Sequence, residues 1–217
     1  MFIYPKPALL GRIVPKAKIY QFACVNTATK ELFVNQVESI VWQYKLAPET
    51  INLPATDFVT EIEIFDIHLK MKEFDNTVLD CIDKGIAFPL IFQCHFQNQT
   101  KIMACYKRPS ESDSEKWVTS EYFSTPWFDN NNSHPPLPMV LDLGALYAQM
   151  IRQLIPLAAR EGENIKQQLE RNTQLQAKQK EQQKLQQRLN SERQFNRKVE
   201  LNRQLNQLKI TIDALLI

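Results

Sequence analysis

The sequence predicts an α+β protein with a small, mostly antiparallel sheet, packed helices, and a long C-terminal helical extension of coiled-coil type. Three features lead to this prediction. Runs rich in β-branched and aromatic residues fall in the middle of the chain, helical periodicity recurs on both sides of them, and the last 55 residues lack Gly and Pro. Strands and helices that do not alternate strictly are typical of this class. We expect a globular domain at 1–157, a joint at 158–162 and a helical tail at 163–217.

The composition is that of a folded, water-soluble protein with an uneven distribution of charge. The chain has 217 residues, of which 44% are hydrophobic and 23% charged, and its formal net charge is +2. The tail from residue 163 holds 11 Lys and Arg against 6 Asp and Glu, or +5, so the remainder holds 15 against 18, or −3. A mildly acidic body therefore carries a basic tail, and a basic tail suits an anionic partner.

The cysteines indicate a reducing compartment. They are widely spaced, no CxxC pair occurs, and neither a secretory signal nor an apolar run of the ~18 residues needed for a membrane span is present. A cytoplasmic location is therefore expected. The four cysteines are Cys24, Cys81, Cys94 and Cys105.

A metal cluster could be drawn from His68, Cys94, His95 and Cys105. Adjacent Cys94 and His95 would point to opposite faces of a strand, which argues against such a cluster. Buried structural thiols explain the cysteines better. Neither a metal nor a cofactor is expected.

The N-terminal part is predicted to be an extended lead-in followed by one helix. Residues 1–28 contain three prolines, which favour extended backbone. The segment "TKELFVNQVESIVWQYKL" (29–46) has apolar residues at helical spacing, and Thr29 is a candidate N-cap.

The middle of the chain is predicted to form the sheet. Near-alternation of apolar and polar residues in "TEIEIFDIHLK" (60–70) predicts a strand, and "DNTVLDCIDKGI" (75–86) predicts a helix capped by Asp75. The runs "PLIFQCHF" and "TKIMACYK" (within 89–107) predict a β-hairpin, and "KWVTSEYF" (116–123) predicts a further strand.

Two polar loops and one strongly patterned helix complete the globular domain. The loops are predicted at 109–115 and 128–138. The segment "LDLGALYAQMIRQLI" (141–155) has a single apolar stripe, and Pro156 stops the helix.

The tail carries a heptad-like seam and has two arrangements open to it. Asn and Gln make up 18 of its 55 residues, so the upstream part has few apolar anchors. A continuous rod of about 82 Å, at ~1.5 Å per residue and paired with another chain, is the favoured arrangement. The alternative is a helical hairpin that turns near "NSERQ", where Ser191 and Gln194 fit a capping box. The seam residues step by 4, 3, 4 and 3, and they are Leu201, Leu205, Leu208, Ile212 and Leu215.

The same tail holds the candidate binding residues. Like charges four residues apart on a helix repel by a few tenths of a kcal/mol, and nucleic-acid phosphates or an acidic protein surface would relieve that repulsion. A solvated face neutralised by nearby glutamates is the alternative, which the lack of aromatic groups along the basic stripe favours. The candidate nucleic-acid-binding residues are Lys180, Lys184, Arg188, Arg193, Arg197 and Lys198. The candidate partner-binding residues are Phe195, Val199, Leu201, Leu205, Leu208 and Ile212.

Motifs that would mark an enzyme are missing from the sequence. It has no phosphate loop, dinucleotide fingerprint, nucleophile elbow or zinc-ligand spacing, and it has only 4 Gly. The best catalytic hypothesis is a metal-dependent nuclease that uses Asp66, Glu63 and Lys70 on one strand with Lys107 on another. Because Gln93 stands where a second acid would be needed, a non-catalytic protein is favoured and no catalytic residue is assigned.

Several segments spread over nearly the whole chain carry a resemblance to a known family. They are "VPKAKIY", "KELFVNQVESIVWQYKLAPETINLPAT", "FPLIFQ", "KIMACYKRPSE", "LIPLAAREGE" and "ERQFNRKVELNRQLNQLK". In these segments the chain resembles the bacterial and archaeal family catalogued as domain of unknown function 4391. The presence of Cys105 and the glutamine-rich tail depart from many members, and the resemblance carries over no catalytic residue.

The resemblance implies a setting for the function. Genes of this family sit beside those of helicases and site-specific DNA methyltransferases, as in restriction-modification and antiphage islands. We therefore expect a non-catalytic accessory or adaptor subunit of a DNA-modification or antiviral defence assembly, with a methyltransferase or helicase as partner and DNA as a further ligand. The alternatives are a nuclease-like enzyme and a self-assembling coiled-coil protein that forms homo-oligomers.

Overall fold

The computed structural model describes residues 2–23, 25–110, 117–131 and 134–217. The chain divides into two compact units, Met1–Leu154 and Ile155–Ile217. This division falls three residues before the predicted end of the globular domain at residue 157.

The first unit is built on one mixed sheet. Its described residues contain seven strands in the order β1-β2-β3-β4-β5-β6, and β7 also pairs with β5. All neighbours are antiparallel except β3 and β4, which run parallel and are joined through a helix. The expectation of an α+β protein with a mostly antiparallel sheet is therefore confirmed. The strands are β1 (Leu9–Ile13), β2 (Val37–Leu46), β3 (Ile62–Leu69), β4 (Leu90–Phe96), β5 (Gln99–Pro109), β6 (Trp117–Ser124) and β7 (Phe128–Asp129).

Helices cover the sheet, and the core lies between helices and strands. Phe33, Phe65 and Phe92 are each buried in one cluster to which helices and strands both contribute. Helices α1 and α2 both pack on α4, the crossover that links β3 to β4. The helices of this unit are α1 (Lys16–Phe22), α2 (Thr27–Gln36), α3 (Pro48–Ile51), α4 (Thr77–Gly85) and α5 (Leu143–Arg152).

The prediction of an extended lead-in at residues 1–28 is wrong. After a short 3-10 turn at Lys6–Ala8, the chain forms the edge strand β1 and then α1. Pro15 has extended backbone angles and immediately precedes α1, a position where its missing N–H costs no hydrogen bond.

The prediction of one helix at 29–46 is half wrong. Helix α2 ends at Gln36, and the backbone then turns directly into β2. The residues from Val37 onward are rich in β-branched and aromatic types, and pairing with β1 and β3 outweighs their helical spacing. The N-cap is also Asn26 rather than Thr29, because Asn26 Oδ1 accepts from the Thr29 N–H at 2.8 Å.

The predicted strand at 60–70, the helix at 75–86 and the strands of the hairpin are confirmed as β3, α4, β4 and β5. The strand predicted at 116–123 is confirmed as β6. The cap of α4 is Asn76 rather than Asp75, whose Oδ1 instead accepts from the Thr77 N–H at 2.8 Å.

The two predicted loops are only partly described. Most of the loop at 109–115 lies outside the described residues, as do residues 132 and 133 of the loop at 128–138. The start of the second loop pairs with the sheet as β7. The following helix is confirmed as α5, where Asp142 Oδ1 accepts from the Ala145 N–H at 2.7 Å.

The second unit contains a helical hairpin rather than the favoured continuous rod. Helices α6 (Ile165–Ser191) and α7 (Phe195–Leu216) pack on one another and are joined by residues 192–194. The proposed capping box of Ser191 and Gln194 is also wrong. Ser191 is the last residue of α6, and Gln194 makes no side-chain cap. The rod is therefore corrected to two antiparallel helices, because the seam of α7 finds its partner surface on α6.

Arginines close the free end of α7. The last carbonyls of a helix have no partner within the helix, and cationic donors stabilise them. Arg160 Nη2 donates to the Ala214 carbonyl at 2.6 Å, and Arg171 Nη1 donates to the Leu215 carbonyl at 2.8 Å. Within the described ranges, no helix of either unit is long and apolar enough to cross a membrane.

Candidate functional site

The turn of the hairpin is fixed by one glutamate. Glu192 Oε1 accepts from the backbone N–H groups of Arg193 at 2.8 Å and Gln194 at 2.9 Å. These hydrogen bonds and the positive end of α7 lower the pKa of the Glu192 carboxyl. The turn therefore needs an acid next to a cluster of basic residues.

Basic side chains gather at the hairpin tip, which we define as residues 188–199. Arg197 Nη1 lies 4.0 Å from Glu192 Oε2, a long ion pair. Among the described residues, Arg188, Arg193 and Lys198 form no ion pair. The tip contains four cations against one acid, a local charge of +3.

An exposed aromatic ring lies within this basic cluster. Phe195 begins α7 and is 77% exposed, between Arg193 and Arg197 in the chain. The sequence analysis found no aromatic group along the basic stripe because it followed steps of four within each helix. The spacing Arg193-x-Phe195-x-Arg197 was the signal that could have found it.

The two upstream lysines occupy different places on α6. Lys184 lines a groove between the helices together with Leu185, Arg188 and Gln204. Lys180 is exposed and does not line that groove. The predicted basic residues are therefore brought together at the tip, while Lys180 lies apart from them.

Helix α7 has two apolar sides, and only one is used within the hairpin. The inner seam consists of the heptad residues, of which Leu205 is 3%, Leu208 7% and Ile212 7% exposed. Leu208 shares the groove lining with Leu185 of α6, and Leu201 shares a second groove with Arg188. These four predicted partner-binding residues are thus occupied by the hairpin itself. The inner seam is Leu201, Leu205, Leu208, Ile212 and Leu215.

The other apolar side of α7 is exposed along its length. Its four residues are 54% to 90% exposed and are separated by 4, 11 and 7 residues, so they fall on one side of a helix with 3.6 residues per turn. Two of them, Phe195 and Val199, are predicted partner-binding residues. We call these residues the outer stripe: Phe195, Val199, Ile210 and Ile217.

A buried polar network in the first unit joins α4 to the sheet. Lys107 Nζ donates to the Asp83 carbonyl at 2.5 Å and to the Ile86 carbonyl, and it lies 3.7 Å from Asp83 Oδ1. Tyr122 Oη and Cys105 Sγ both donate to Asp83 Oδ2, the second at 3.3 Å. Burial raises the pKa of Asp83 and lowers the pKa of Lys107.

This network has a structural explanation. An ammonium group at carbonyls that end a helix stabilises the helix C-terminus, and α4 ends at Gly85. Burial also raises the pKa of the Cys105 thiol well above its ordinary value, which makes it a poor nucleophile. The network holds the crossover helix on the sheet and offers no accessible reactive group.

A second polar cluster lies on the opposite face of the sheet. Gln93 Nε2 donates to Asp66 Oδ1 at 2.7 Å, and His95 Nε2 lies 3.4 Å from the same oxygen. His95 Nδ1 is 2.8 Å from Thr100 Oγ1, which donates to Asn130 Oδ1 at 2.5 Å. Because the Thr100 proton is directed to Asn130, the hydroxyl is not activated by His95 as a nucleophile would be.

The residues of the nuclease hypothesis do not converge. Glu63 lies on the face of β3 that carries Phe65, whereas Asp66 lies on the other face with Gln93. Lys70 Nζ donates to the Val34 carbonyl at 2.7 Å, and Lys107 serves α4. Across the residues that the structure describes, no group of three or more His, Cys, Asp and Glu side chains could hold a metal ion.

The four imagined metal ligands are likewise dispersed. His68 and His95 stack with ring centroids 5.1 Å apart. Cys94 lies in the core cluster on the opposite side of the sheet, and Cys105 belongs to the network around Asp83.

Together, the fold and these sites define an α+β protein with a mixed sheet that carries a basic C-terminal helical hairpin. The family comparison agrees with this description. The chain belongs to the family described as domain of unknown function DUF4391, whose model matches residues 2–212, so the resemblance seen in the sequence is confirmed. No curated protein and no solved structure matches the chain.

Proposed function

We propose that the protein is a non-catalytic adaptor subunit that binds nucleic acid with the hairpin tip and a partner protein with the outer stripe of α7. The observation that carries this proposal is the two-sidedness of α7. Its inner seam is buried in the hairpin, whereas its outer stripe is exposed beside a cluster of cations. In line with the family setting, we propose a DNA methyltransferase or a helicase as the partner in a DNA-modification or antiviral defence assembly.

Electrostatics support nucleic acid as the ligand of the tip. Four cations and one acid within residues 188–199 repel one another in the unbound protein. Phosphate groups would replace this repulsion by attraction and release condensed counterions from the nucleic acid. Arg193 and Lys198 are suited to this role because no ion pair among the described residues occupies them.

The exposed ring of Phe195 favours single-stranded or unpaired nucleic acid. A base stacked on an aromatic side chain contributes about 1–3 kcal/mol, and this requires a base that is accessible outside a duplex. At the tip, Phe195 lies within two residues of Arg193 and Arg197 in the chain. A ring flanked by cations can stack a base while the cations contact the adjoining phosphates.

The outer stripe favours a helical protein partner. Val199, Ile210 and Ile217 repeat at intervals that a second helix could cover by knobs-into-holes packing. Covering them removes apolar surface from water, which contributes about 25 cal/mol per Å². Arg203 and Asp213 lie on the same side of α7, so a second copy in antiparallel orientation is the competing partner.

Binding of labelled single-stranded and duplex DNA, followed by fluorescence anisotropy at several salt concentrations, tests the tip. The triple variant Arg193→Ala/Arg197→Ala/Lys198→Ala should bind more weakly at low salt. The slope of log K against log salt should fall by about 2–3, because each phosphate contact contributes roughly 0.7–0.9. The control triple Lys6→Ala/Arg12→Ala/Lys209→Ala removes the same charge from exposed positions elsewhere. Equal loss in both triples would show that only net charge matters.

Affinity purification from native cells tests the outer stripe. The full-length chain should recover a methyltransferase or helicase with or without nuclease treatment, and Val199→Lys/Ile210→Lys should abolish that recovery. The control Asn196→Lys/Gln207→Lys adds the same charge at exposed positions beside the stripe and should not. If light scattering instead shows a homo-oligomer that Val199→Lys/Ile210→Lys converts to a monomer, the partner is a second copy.

A further inference from the structure

The first unit contains a cavity with aromatic walls that the adaptor function does not use. Its volume is about 360 Å³, within the range of small-molecule sites, and its lining is mostly apolar. The cavity opens beside α1 and is floored by strands β2 and β3. The residues that matter for the argument are Phe22, Trp42, Glu63, Phe65, Ile86 and Phe88.

A hydrogen-bond donor at this cavity has no partner. The indole Nε1 of Trp42 is buried and makes no hydrogen bond with any described residue. An unsatisfied buried donor costs about 1–3 kcal/mol. The ring of Trp42 stacks parallel to Phe65 at 6.2 Å, which fixes its orientation. A ligand with an acceptor atom would remove this cost.

A hydrogen-bond acceptor lies at the same cavity. Glu63 is only 4% exposed and shares a hydrogen bond with Glu61, whose own carboxylate is held by Lys45 Nζ at 2.7 Å. Burial, and then the neighbouring Glu61, raise the pKa of Glu63 to about 8. At neutral pH Glu63 therefore donates its proton to Glu61, and its second oxygen can accept a hydrogen bond.

We propose that this cavity binds a planar amino-heterocycle, a ring that carries an N–H donor next to a ring-nitrogen acceptor, as an aminopurine or aminopyrimidine does. The acceptor receives the Trp42 indole proton, the amino group donates to Glu63, and the aromatic walls of Phe22, Phe65 and Phe88 contact the ring faces. A carboxylate ligand would leave the Glu63 oxygen unsatisfied, and a simple organic cation would leave the Trp42 donor unsatisfied. The proposal does not depend on the function of the hairpin.

Nuclear magnetic resonance of the full-length chain tests this site through its three tryptophans. Adenine and cytosine, titrated to millimolar concentrations, should shift the Trp42 indole N–H resonance downfield and leave those of Trp117 and Trp127 unchanged. Trp42→Phe assigns the resonance. Tetramethylammonium and benzoate serve as the comparison cation and anion and should produce no such shift. A shift with either of these and not with the heterocycles, or no shift with any, overturns the proposal.

Variants separate the two hydrogen bonds from packing. Trp42→Phe keeps an aromatic ring but removes the donor and should weaken adenine binding about tenfold, whereas the matched Trp127→Phe should not. Glu63→Gln keeps an acceptor oxygen while its amide donates to Glu61, so it should bind within about twofold, whereas Glu63→Leu should not bind. Loss of binding in Glu63→Gln would overturn the assigned acceptor role. Adenosine and a short oligodeoxyadenylate, titrated in parallel, distinguish a free nucleobase derivative from a base carried on a polymer.

Discussion

Arg171 holds both carboxylate oxygens of Glu163, with Nε–Oε1 and Nη2–Oε2 distances of 2.8 Å, and both side chains are less than a tenth exposed. The same guanidinium donates to the Ala158 and Leu215 carbonyls. One side chain thus ties the segment before α6 to the end of α7. In the second unit, the polar α6 contributes its largest share of hydrogen bonds at this position.

Removing this guanidinium should destabilise the hairpin strongly. Arg171→Ala leaves a buried carboxylate and two carbonyls without their donor, and breaking a buried pair in this way costs about 3–5 kcal/mol. Arg203→Ala is the matched control, because Arg203 makes a similar pair with Glu200 at 2.8 Å on the surface, where about 0–1 kcal/mol is expected. Hydrogen exchange of the α6 and α7 amides measures both. Equal protection in the two variants would contradict the assigned role.

The Arg171–Glu163 pair should also make the hairpin sensitive to acid. Arg171 lowers the pKa of Glu163 from 4.5 to about 2. A lowered carboxyl pKa means that the stabilisation is fully present above pH 4.5 and is lost as the pH falls from 4.5 through 2. The difference in helix content between wild type and Glu163→Gln, followed by circular dichroism, should shrink across this window. A difference that does not change with pH would contradict the linkage.

Glu63 should have the opposite effect on the first unit. Its pKa is raised from 4.5 to about 8, so the folded protein holds a proton that the unfolded chain releases. Stability should therefore fall as the pH rises from 4.5 to 8, and Glu63→Gln should flatten this slope and be more stable than wild type at pH 8. Denaturant unfolding at several pH values measures it, with Glu31→Gln at an exposed position as the control. The same slope in Glu63→Gln and wild type would show that Glu63 is not the source.

Phe195→Ala should separate stacking from charge at the hairpin tip. Loss of the ring should weaken single-stranded DNA binding by about 1–3 kcal/mol and affect duplex binding less. The salt dependence should stay unchanged, because no phosphate contact is removed. Val199→Ala, which shortens a neighbouring exposed side chain, is the control. A parallel loss for single-stranded and duplex DNA would argue against stacking.

Local signals were sufficient for several elements of the fold. Strand β3, helix α4, the strands β4 and β5, and helix α5 were predicted because each has a clear period bounded by capping or turn residues. The error at 37–46 arose because apolar residues at helical spacing also suit a strand that is partly buried. Pairing with β3, 25 residues away between Val37 and Ile62, decided that segment.

The candidate binding residues were predicted unevenly for a similar reason. The basic residues of the tip and the exposed Phe195 and Val199 could be selected from the sequence. Leu205, Leu208 and Ile212 could not be separated from them, because a heptad seam looks the same whether its partner is another chain or the next helix. The aromatic cavity was not predicted at all, because Phe22, Trp42, Glu63 and Phe88 come from four separate segments.

The sequence by itself determined the class of the body, the heptad spacing of the tail and the clustering of positive charge near residue 193, because these depend on residue types at short range. The tertiary structure decided where the tail turns, which side of α7 stays exposed, and that Glu63 and Asp66 lie on opposite faces of the sheet. Those outcomes depend on which distant surfaces bury one another, and burial energies act between segments that the order of residues does not bring together.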